Sequence, residues 1–242
     1  MNADEVYQSA RSLFEKNLFD EAMTMCQFGL TLDCSHGQLL QLKGLIYWVQ
    51  HDPVLCRDAL EQAAVLTRLQ PISKVALGES NLTLGDHHAA RQLFMSAFDD
   101  PLSSERIYLL VARGLAVLEE WGLCVTVCET WVEDVRDDPR AYFHLAFATA
   151  WNDGDPEVVF RHAWRAMDLC DDLLNYRVSF AVLFFHLKRT VDSYQFVSDL
   201  SESDIVVIGC GCALRILHDI YKAAGDDQRV QWSVRILETS SE

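Results

Sequence analysis

Apolar residues along the chain recur at spacings of three and four, which is typical of the buried face of an α-helix. One such run contains Val75, Leu77 and Leu82, and the next contains Leu93 and Phe94. The sequence Leu-Gly-Asp between them pairs a residue that ends helices with one that caps the following helix. The pattern therefore predicts two helices joined by a tight turn.

The same helix pair recurs along the chain at a constant interval. Small residues keep this interval at Ala10, Gly44, Gly78, Ala112 and Ala146. Three further series of mostly small or apolar residues keep it in phase: Ala22, Cys56, Ala90 and Cys124; Cys26, Leu60, Phe94 and Cys128; Gly29, Ala63, Ala97 and Trp131. Self-similarity at a fixed period is the signature of a repeat architecture. The sequence therefore predicts a tandem array of helix pairs.

Proline marks the predicted helix starts. Four of the five prolines follow an aspartate, at 52–53, 100–101, 138–139 and 155–156. An aspartate caps the free amides of a helix start, and proline is tolerated in the first turn. We therefore predict about fourteen helices, two in each unit, without a convincing strand. Because one helix pair cannot bury its apolar face alone, the units are expected to stack as an α-solenoid.

A 34-residue helix–turn–helix unit with a small residue at its eighth place and an Ala–aromatic–Ala second helix resembles the tetratricopeptide repeat. The third unit shows this best, with Gly78, Ala90, Phe94, Ala97 and Pro101. The resemblance implies an all-α fold, in which about seven such repeats form an α-solenoid with a right-handed superhelix. The implied organisation is five repeats within 1–170, at about 3–36, 37–70, 71–104, 105–138 and 139–173, followed by two degenerate repeats or capping helices over 174–242.

Proteins of this family usually bind a peptide or helix of a protein partner in a concave groove lined by the first helix of each unit. The resemblance therefore implies a partner-binding groove of large apolar side chains with arginines near its middle: Tyr7, Arg11, Phe14, Gln41, Leu45, Trp48, Leu82, Arg106, Leu109, Arg113, Arg140, Phe143, Phe147 and Trp151. Such a lining suits an amphipathic segment. One subclass grips a C-terminal carboxylate, but that clamp is not matched at the corresponding positions, which are Asp4, Tyr7, Gln38 and Gln41.

The groove residues also have a purely structural interpretation. Three arginines either meet acidic residues of a ligand or pair with acidic residues of the chain itself. The arginines are Arg106, Arg113 and Arg140, and the candidate partners within the chain are Glu79, Glu105 and Asp138. The aromatic residues either line an open groove or fill the interior of the superhelix.

The composition limits the class of partner. Acidic residues outnumber basic ones by 36 to 20, which gives a formal net charge of −16. Because phosphate contacts need a basic face, neither nucleic acid nor an anionic membrane surface is an expected partner. The N-terminal segment lacks the pattern of a signal peptide, and the longest apolar runs are shorter than the roughly 20 residues that span a bilayer. We therefore expect a cytoplasmic protein whose cysteines are reduced.

Candidate catalytic and metal-binding residues have simpler interpretations. Cys124 and Cys128 occupy packing positions of the repeat, where cysteine behaves as a small apolar residue. His87 and His88 point about 100° apart on a helix, so they do not converge on one metal. Four pairs of adjacent aspartates are expected to cap helices, at 99–100, 137–138, 171–172 and 226–227. We predict no cofactor, no metal and no enzymatic activity.

The stretch Val-Ile-Gly-Cys-Gly-Cys-Ala-Leu at 207–214 follows a helix-start signal, so it is predicted to belong to a helix over 205–224. On a helix, Cys210 and Cys212 lie about 200° apart and cannot share a metal or form an unstrained disulfide. Each glycine costs the helix about 1 kcal/mol relative to alanine. That cost predicts the close approach of a neighbouring helix at these glycines.

Three functions are consistent with these observations. The first is a non-enzymatic scaffold that binds a peptide or amphipathic segment of a partner protein in the groove. The second is a dedicated chaperone of a bacterial, type III-like secretion system, which would hold an aggregation-prone client. The third is a structural subunit whose groove is filled by its own C-terminal helices or by a second copy.

Overall fold

The computed structural model describes residues 2–170, 173–208 and 211–239. These residues form fifteen α-helices and no β-strand, which confirms the all-α prediction. The helices are α1 (Ala3–Glu15), α2 (Phe19–Leu32), α3 (Gly37–Val49), α4 (Pro53–Leu66), α5 (Pro71–Thr83), α6 (His87–Phe98), α7 (Glu105–Val117), α8 (Trp121–Asp134), α9 (Pro139–Trp151), α10 (Pro156–Leu169), α11 (Leu173–His186), α12 (Thr190–Gln195), α13 (Glu202–Val207), α14 (Gly211–Ala224) and α15 (Asp227–Thr239). None of the helices in these ranges is long and apolar enough to cross a bilayer.

The chain folds into two compact units, Met1–Val127 and Cys128–Glu242. In the first unit, the second helix of each pair packs on the first, as in α1–α2, α3–α4 and α5–α6. The first helices also contact one another in order, so α1, α3, α5 and α7 form a continuous layer. In the second unit, α9 packs on α10, α11 on α12 and α14 on α15. Stacked helix pairs of this kind are the building block of an α-solenoid.

The residues of the four periodic series are all buried, from Ala10 to Ala146. Trp131, the one large residue in a series of small ones, stacks against His144 with 6.1 Å between the ring centroids. The guanidinium of Arg140 also lies over the indole ring, at 5.7 Å. The predicted register of the buried face is therefore confirmed, and local packing accommodates the larger side chain.

The turn within each helix pair is a further periodic feature. In each of the first five helix pairs, one turn residue has a positive φ of 54–86°, and these residues are Asn17, His51, Gly85, Glu119 and Asp153. They too recur at the interval of the repeat. Only one is glycine, although asparagine, aspartate and histidine tolerate this left-handed conformation better than most residues. The local sequence therefore favours the turn only weakly, and the packing of the flanking helices must supply the rest.

The ring of Phe94 fits between α5 and α7. It is fully buried, and it lies against Gly78 of α5 and Gly114 of α7. A Cβ atom added to Gly78 would lie 2.8 Å from Phe94 Cε1, and one added to Gly114 would lie 2.4 Å from Cζ. Since both distances are far shorter than a normal contact between carbon atoms, the ring fits only because both positions are glycine.

Three of the four Asp-Pro pairs start a helix as predicted. Asp52, Asp138 and Asp155 each accept a hydrogen bond from a backbone amide in the first turn of α4, α9 and α10. The prediction is wrong for the pair at 100–101, because α7 begins only at Glu105.

Asp100 binds two cations instead of capping a helix. Its buried carboxylate accepts hydrogen bonds from Lys74 Nζ at 2.8 Å and from Arg68 Nη2 at 2.9 Å. Its other oxygen accepts one from the Leu102 amide at 3.1 Å. The hydrogen bond from Lys74 is the largest cause that lowers the pKa of Asp100, to about 2. The carboxylate thereby ties α5 and the α4–α5 connection to the end of α6.

The predicted helix over 205–224 is wrong in its middle. α13 ends at Val207 and Ile208 has left the helical conformation, while the Gly-Cys pair at 209–210 lies outside the described residues. α14 begins at Gly211, where an added Cβ would meet no described atom within 4 Å. The close helix approach that the glycines predicted is therefore not found at Gly211.

Replacing Gly78 with leucine should destabilise the first unit, because the new side chain has to displace the Phe94 ring. We expect the free energy of unfolding to fall by about 3 kcal/mol, at the upper end of common overpacking effects. Thermal unfolding followed by circular dichroism measures the change. The control is Gly211→Ala, which should leave the midpoint unchanged or raise it. A Gly78→Leu variant as stable as the parent would contradict the packing of Phe94.

The hydrogen bonds of Asp100 with Lys74 and Arg68 should make the free energy of unfolding depend on pH. Because the folded-state pKa lies below the ordinary value near 4, the stabilisation is complete above about pH 4 and is lost as the pH falls toward 2. Asp100→Asn should therefore cost roughly 1–3 kcal/mol near neutral pH, and its difference from the parent should shrink below about pH 4. Denaturant unfolding at a series of pH values measures this difference. Asp99→Asn, at the exposed neighbouring position, should have little effect, and a difference independent of pH would argue against these hydrogen bonds.

Candidate functional site

A cleft of about 350 Å³ opens on the layer of first helices in the first unit. It is lined by side chains from α1, α3, α7 and the beginning of α5: Tyr7, Arg11, Phe14, Glu15, Gln38, Gln41, Leu42, Leu45, Trp48, Val49, Gln70, Ile72, Ser73 and Arg106. A cavity of this size accommodates a small ligand or one or two large side chains of a peptide.

Apolar side chains form the walls of the cleft. Phe14, Leu45, Trp48 and Ile72 are each half-buried, so that part of each apolar surface stays uncovered. The indole of Trp48 is fixed by its Nε1 atom, which donates a hydrogen bond to Glu79 Oε2 at 2.7 Å. Since Glu79 does not line the cleft, this bond orients the ring without placing a carboxylate in the cleft.

Charged groups of the cleft leave one arginine unpaired. Arg11 forms an ion pair with Glu15, with 2.9 Å between Nε and Oε1. Arg106 on α7 is exposed and has no hydrogen bond or ion pair with any residue that the structure describes. The lining therefore carries one uncompensated positive charge, in a chain whose formal net charge is −16.

Ser73 is a polar residue in a core position of the cleft floor. It is fully buried, and its hydroxyl has no hydrogen-bond partner among the described residues. The residues one repeat before and one repeat after it are Leu39 and Ile107, both apolar and buried. An unsatisfied buried hydroxyl costs roughly 1–3 kcal/mol. This serine therefore lowers the free energy of unfolding of the protein.

Two lining residues make contacts within the protein that leave little of their surface exposed. The side-chain amide of Gln41 donates a hydrogen bond to the Arg68 carbonyl at 3.1 Å and accepts one from the Gln70 amide at 3.0 Å. Tyr7 is buried, and its ring centroid lies 5.9 Å from that of His36. These two side chains therefore shape the cleft, but little of either one is accessible to a ligand.

Seven of the fourteen residues predicted for the groove meet in this cleft: Tyr7, Arg11, Phe14, Gln41, Leu45, Trp48 and Arg106. Leu82, Leu109 and Arg113 belong to the first unit but do not line the cleft. The prediction missed seven lining residues: Glu15, Gln38, Leu42, Val49, Gln70, Ile72 and Ser73. The repeat contained a signal for Ile72, because it stands one repeat after Gln38 and one repeat before Arg106.

The other four predicted groove residues, Arg140, Phe143, Phe147 and Trp151, lie in the second unit. Phe143 and Phe147 pack together with 4.8 Å between ring centroids, and both contact rings of α11. Arg140 Nη2 lies 2.7 Å from Asp138 Oδ2, so this arginine pairs within the chain. Trp151 is 50% exposed.

The remaining candidate reactive groups do not converge. Cys124 and Cys128 are buried, and Cys124 Sγ lies 3.4 Å from the Ala112 carbonyl oxygen. His87 and His88 are exposed at the beginning of α6. In the part of the chain that the structure describes, no three His, Cys, Asp or Glu side chains are placed to hold a metal ion.

The paired aspartates mostly serve the local structure. Asp226 accepts hydrogen bonds from the Arg229 amide at 3.2 Å and from its guanidinium at 2.7 Å, as expected for a helix cap. Asp137 lies 3.2 Å from the guanidinium of Arg165. The pair at 171–172 lies outside the described residues.

Comparison with known proteins identifies the fold. No family model and no curated protein sequence matches the chain. The solved structure of YrrB, a tetratricopeptide-repeat (TPR) protein with an unusual peptide-binding site, matches with a TM-score of 0.60 at 17% identity, over 78% of this chain and 92% of YrrB. The chain has the TPR fold.

Two other structures share this TPR fold over most of the chain. The C-terminal part of a TPR protein from Cytophaga hutchinsonii has a TM-score of 0.68 at 12% identity, covering 96% of this chain and 93% of that one. PilF from Pseudomonas aeruginosa has a TM-score of 0.63 at 11% identity, covering 93% and 97%. These identities show the fold alone, so the function has to be argued from the cleft.

Phe147→Ala should lower stability, because the ring packs against Phe143 and α11. We expect a loss of roughly 2–3 kcal/mol in the free energy of unfolding, somewhat less than for a fully buried phenylalanine. Denaturant unfolding measures this value. Val191→Ala is the control, since Val191 is 73% exposed in the same unit and its truncation should change stability by less than about 0.5 kcal/mol. If Phe147→Ala proved equally harmless, the aromatic cluster would not be structural.

Proposed function

We propose that this TPR protein is a non-enzymatic scaffold that binds a peptide or amphipathic segment of a partner protein in the cleft of its first unit. The observation that carries the proposal is the apolar wall of Leu45, Trp48 and Ile72, which is only half-buried. A partner that covers such a surface gains the free energy of removing it from water. Aromatic residues in a concave surface are also where binding energy concentrates.

The dimensions of the cleft favour a short segment over a folded domain. Its volume of about 350 Å³ accommodates one or two large side chains. An amphipathic helix laid in a groove is held by such anchors at helical spacing. YrrB, which shares the fold, has a peptide-binding site, and this supports the same class of ligand for the present chain.

The two alternative functions, a structural subunit with a self-filled groove and a secretion chaperone, rest on the same apolar surfaces. A self-filled groove agrees with the second unit, where Phe143 and Phe147 pack on α11, whereas the cleft of the first unit supports a ligand from outside the chain. A secretion chaperone would use the same apolar walls, so it differs from a scaffold in its partner and not in its site. The cytoplasmic location and the exclusion of nucleic acid stay predictions from the sequence.

Selection from a phage-displayed library of random peptides, each about 12 residues long, tests the proposal. The full chain is the target, and Trp48→Ala is tested in parallel. We expect enriched peptides to bind Trp48→Ala at least about tenfold more weakly than the parent, because truncation of a central aromatic anchor costs about 2 kcal/mol or more. Fluorescence polarisation with labelled peptides measures the dissociation constants.

The matched control is Trp48→Phe, which keeps an aromatic ring in the cleft but loses the hydrogen bond to Glu79 and the pyrrole part of the indole. It should retain most of the affinity, and circular dichroism shows whether each variant is folded. A library that yields no enriched peptide, or peptides that bind the parent and Trp48→Ala equally well, would overturn the proposal.

A further inference from the structure

Arg106 borders two hollows of the first unit. One is the cleft, with its apolar wall of Leu45, Trp48 and Ile72. The other has a volume of about 380 Å³, and Arg106 and Ile72 line it as well. It also contains Leu102, which is 73% exposed. A positive charge therefore stands between two patches of uncovered apolar surface.

The positive charge of Arg106 is available because Arg106 lacks the acidic partner that the next repeat supplies. Arg140, which occupies the equivalent position of the next repeat, is held by Asp138 at 2.7 Å. The position equivalent to Asp138 in the preceding repeat is Ser104, which carries no charge. A guanidinium next to apolar surface binds a carboxylate through two parallel charge-assisted hydrogen bonds. The arrangement thus favours an acidic group on the ligand.

We infer that the cleft is specific for an acidic residue with a large apolar residue on each side, within an internal segment of a partner protein. The carboxylate pairs with Arg106, one apolar side chain contacts Trp48 and Leu45, and the other contacts Leu102. This inference rests on the proposed function, because it specifies the ligand of the same cleft.

The sequences of the selected peptides provide the first test. We expect the enriched families to share an Asp or Glu between two apolar positions. Synthetic peptides that carry Glu, Gln or Lys at this position then measure the preference by fluorescence polarisation. The Gln peptide should bind about tenfold more weakly than the Glu peptide, and the Lys peptide more weakly still, as expected for the loss of a charge-assisted hydrogen bond.

Two arginines of α7 give a matched pair of variants. Arg113 is exposed and, like Arg106, lacks an ion-pair partner among the described residues, but it lines neither hollow. Arg106→Gln should abolish the preference for Glu over Gln, whereas Arg113→Gln should retain it. Added salt should weaken the Glu peptide on the parent and have less effect on Arg106→Gln, because salt screens the attraction between exposed charges.

The second hollow is tested through Leu102. Leu102→Ser should weaken the selected peptides about threefold to tenfold, because it removes apolar surface that the ligand covers. Val65→Ser is the control, since Val65 is 86% exposed on α4 and lines neither hollow. Equal affinities of these two variants would contradict contact with Leu102.

The outcomes distinguish this inference from the function on which it rests. Peptides that depend on Trp48 but carry no acidic position, or carry a basic one, would overturn the inference and leave the scaffold function intact. Loss of the Glu preference in Arg113→Gln to the same extent as in Arg106→Gln would also overturn it. If the library yields no peptide, the proposed function fails, and this inference fails with it.

Discussion

The contact of Phe94 with two glycines is the constraint on which the architecture of the first unit depends. The ring occupies space that a Cβ atom on Gly78 or Gly114 would need, so α5 and α7 approach each other only because both positions lack a side chain. Ile72 lies in the first turn of α5 and Arg106 in the first turn of α7, and both line the cleft. The packing of a buried ring on one side of the layer therefore holds the two helices that carry Ile72 and Arg106 on the other.

The regular part of the fold could be predicted because the contacts between packed helices require small residues at positions that recur at a fixed spacing in the sequence. The left-handed turn residues left a weaker trace: the glycine at 85 marked its turn, but Asn17 and His51 share the same backbone conformation without a common side-chain type. The wrongly predicted helix start at 100–101 has a related cause. The carboxylate of Asp100 binds cations that lie 26 and 32 residues away in the sequence, and no local pattern reveals contacts at that distance.

The candidate site could be predicted only in outline, because periodicity identifies the exposed face of a helix but not the partners of each residue on it. Arg106 and Arg140 occupy equivalent positions, yet Arg140 is neutralised by Asp138 and Arg106 has no described partner. Comparing each residue with its equivalents would have found part of the difference, since Ser104 replaces the aspartate. The hydrogen bonds between Gln41 and the α4–α5 connection, in contrast, could be found only in the structure.

The coincidence of uncovered apolar surface and an unpaired charge in one cleft supports the proposal that the cleft binds a partner. The half-buried ring of Trp48 leaves apolar surface in water, and the exposed Arg106 has no partner among the described residues. In the second unit, the corresponding layer is filled by contacts of Phe143 and Phe147 with α11. Local sequence and global fold usually agree, and the places where they conflict are expected at functional sites. Because one ligand could cover the ring and pair with the arginine, binding explains their proximity better than two unrelated features of the surface.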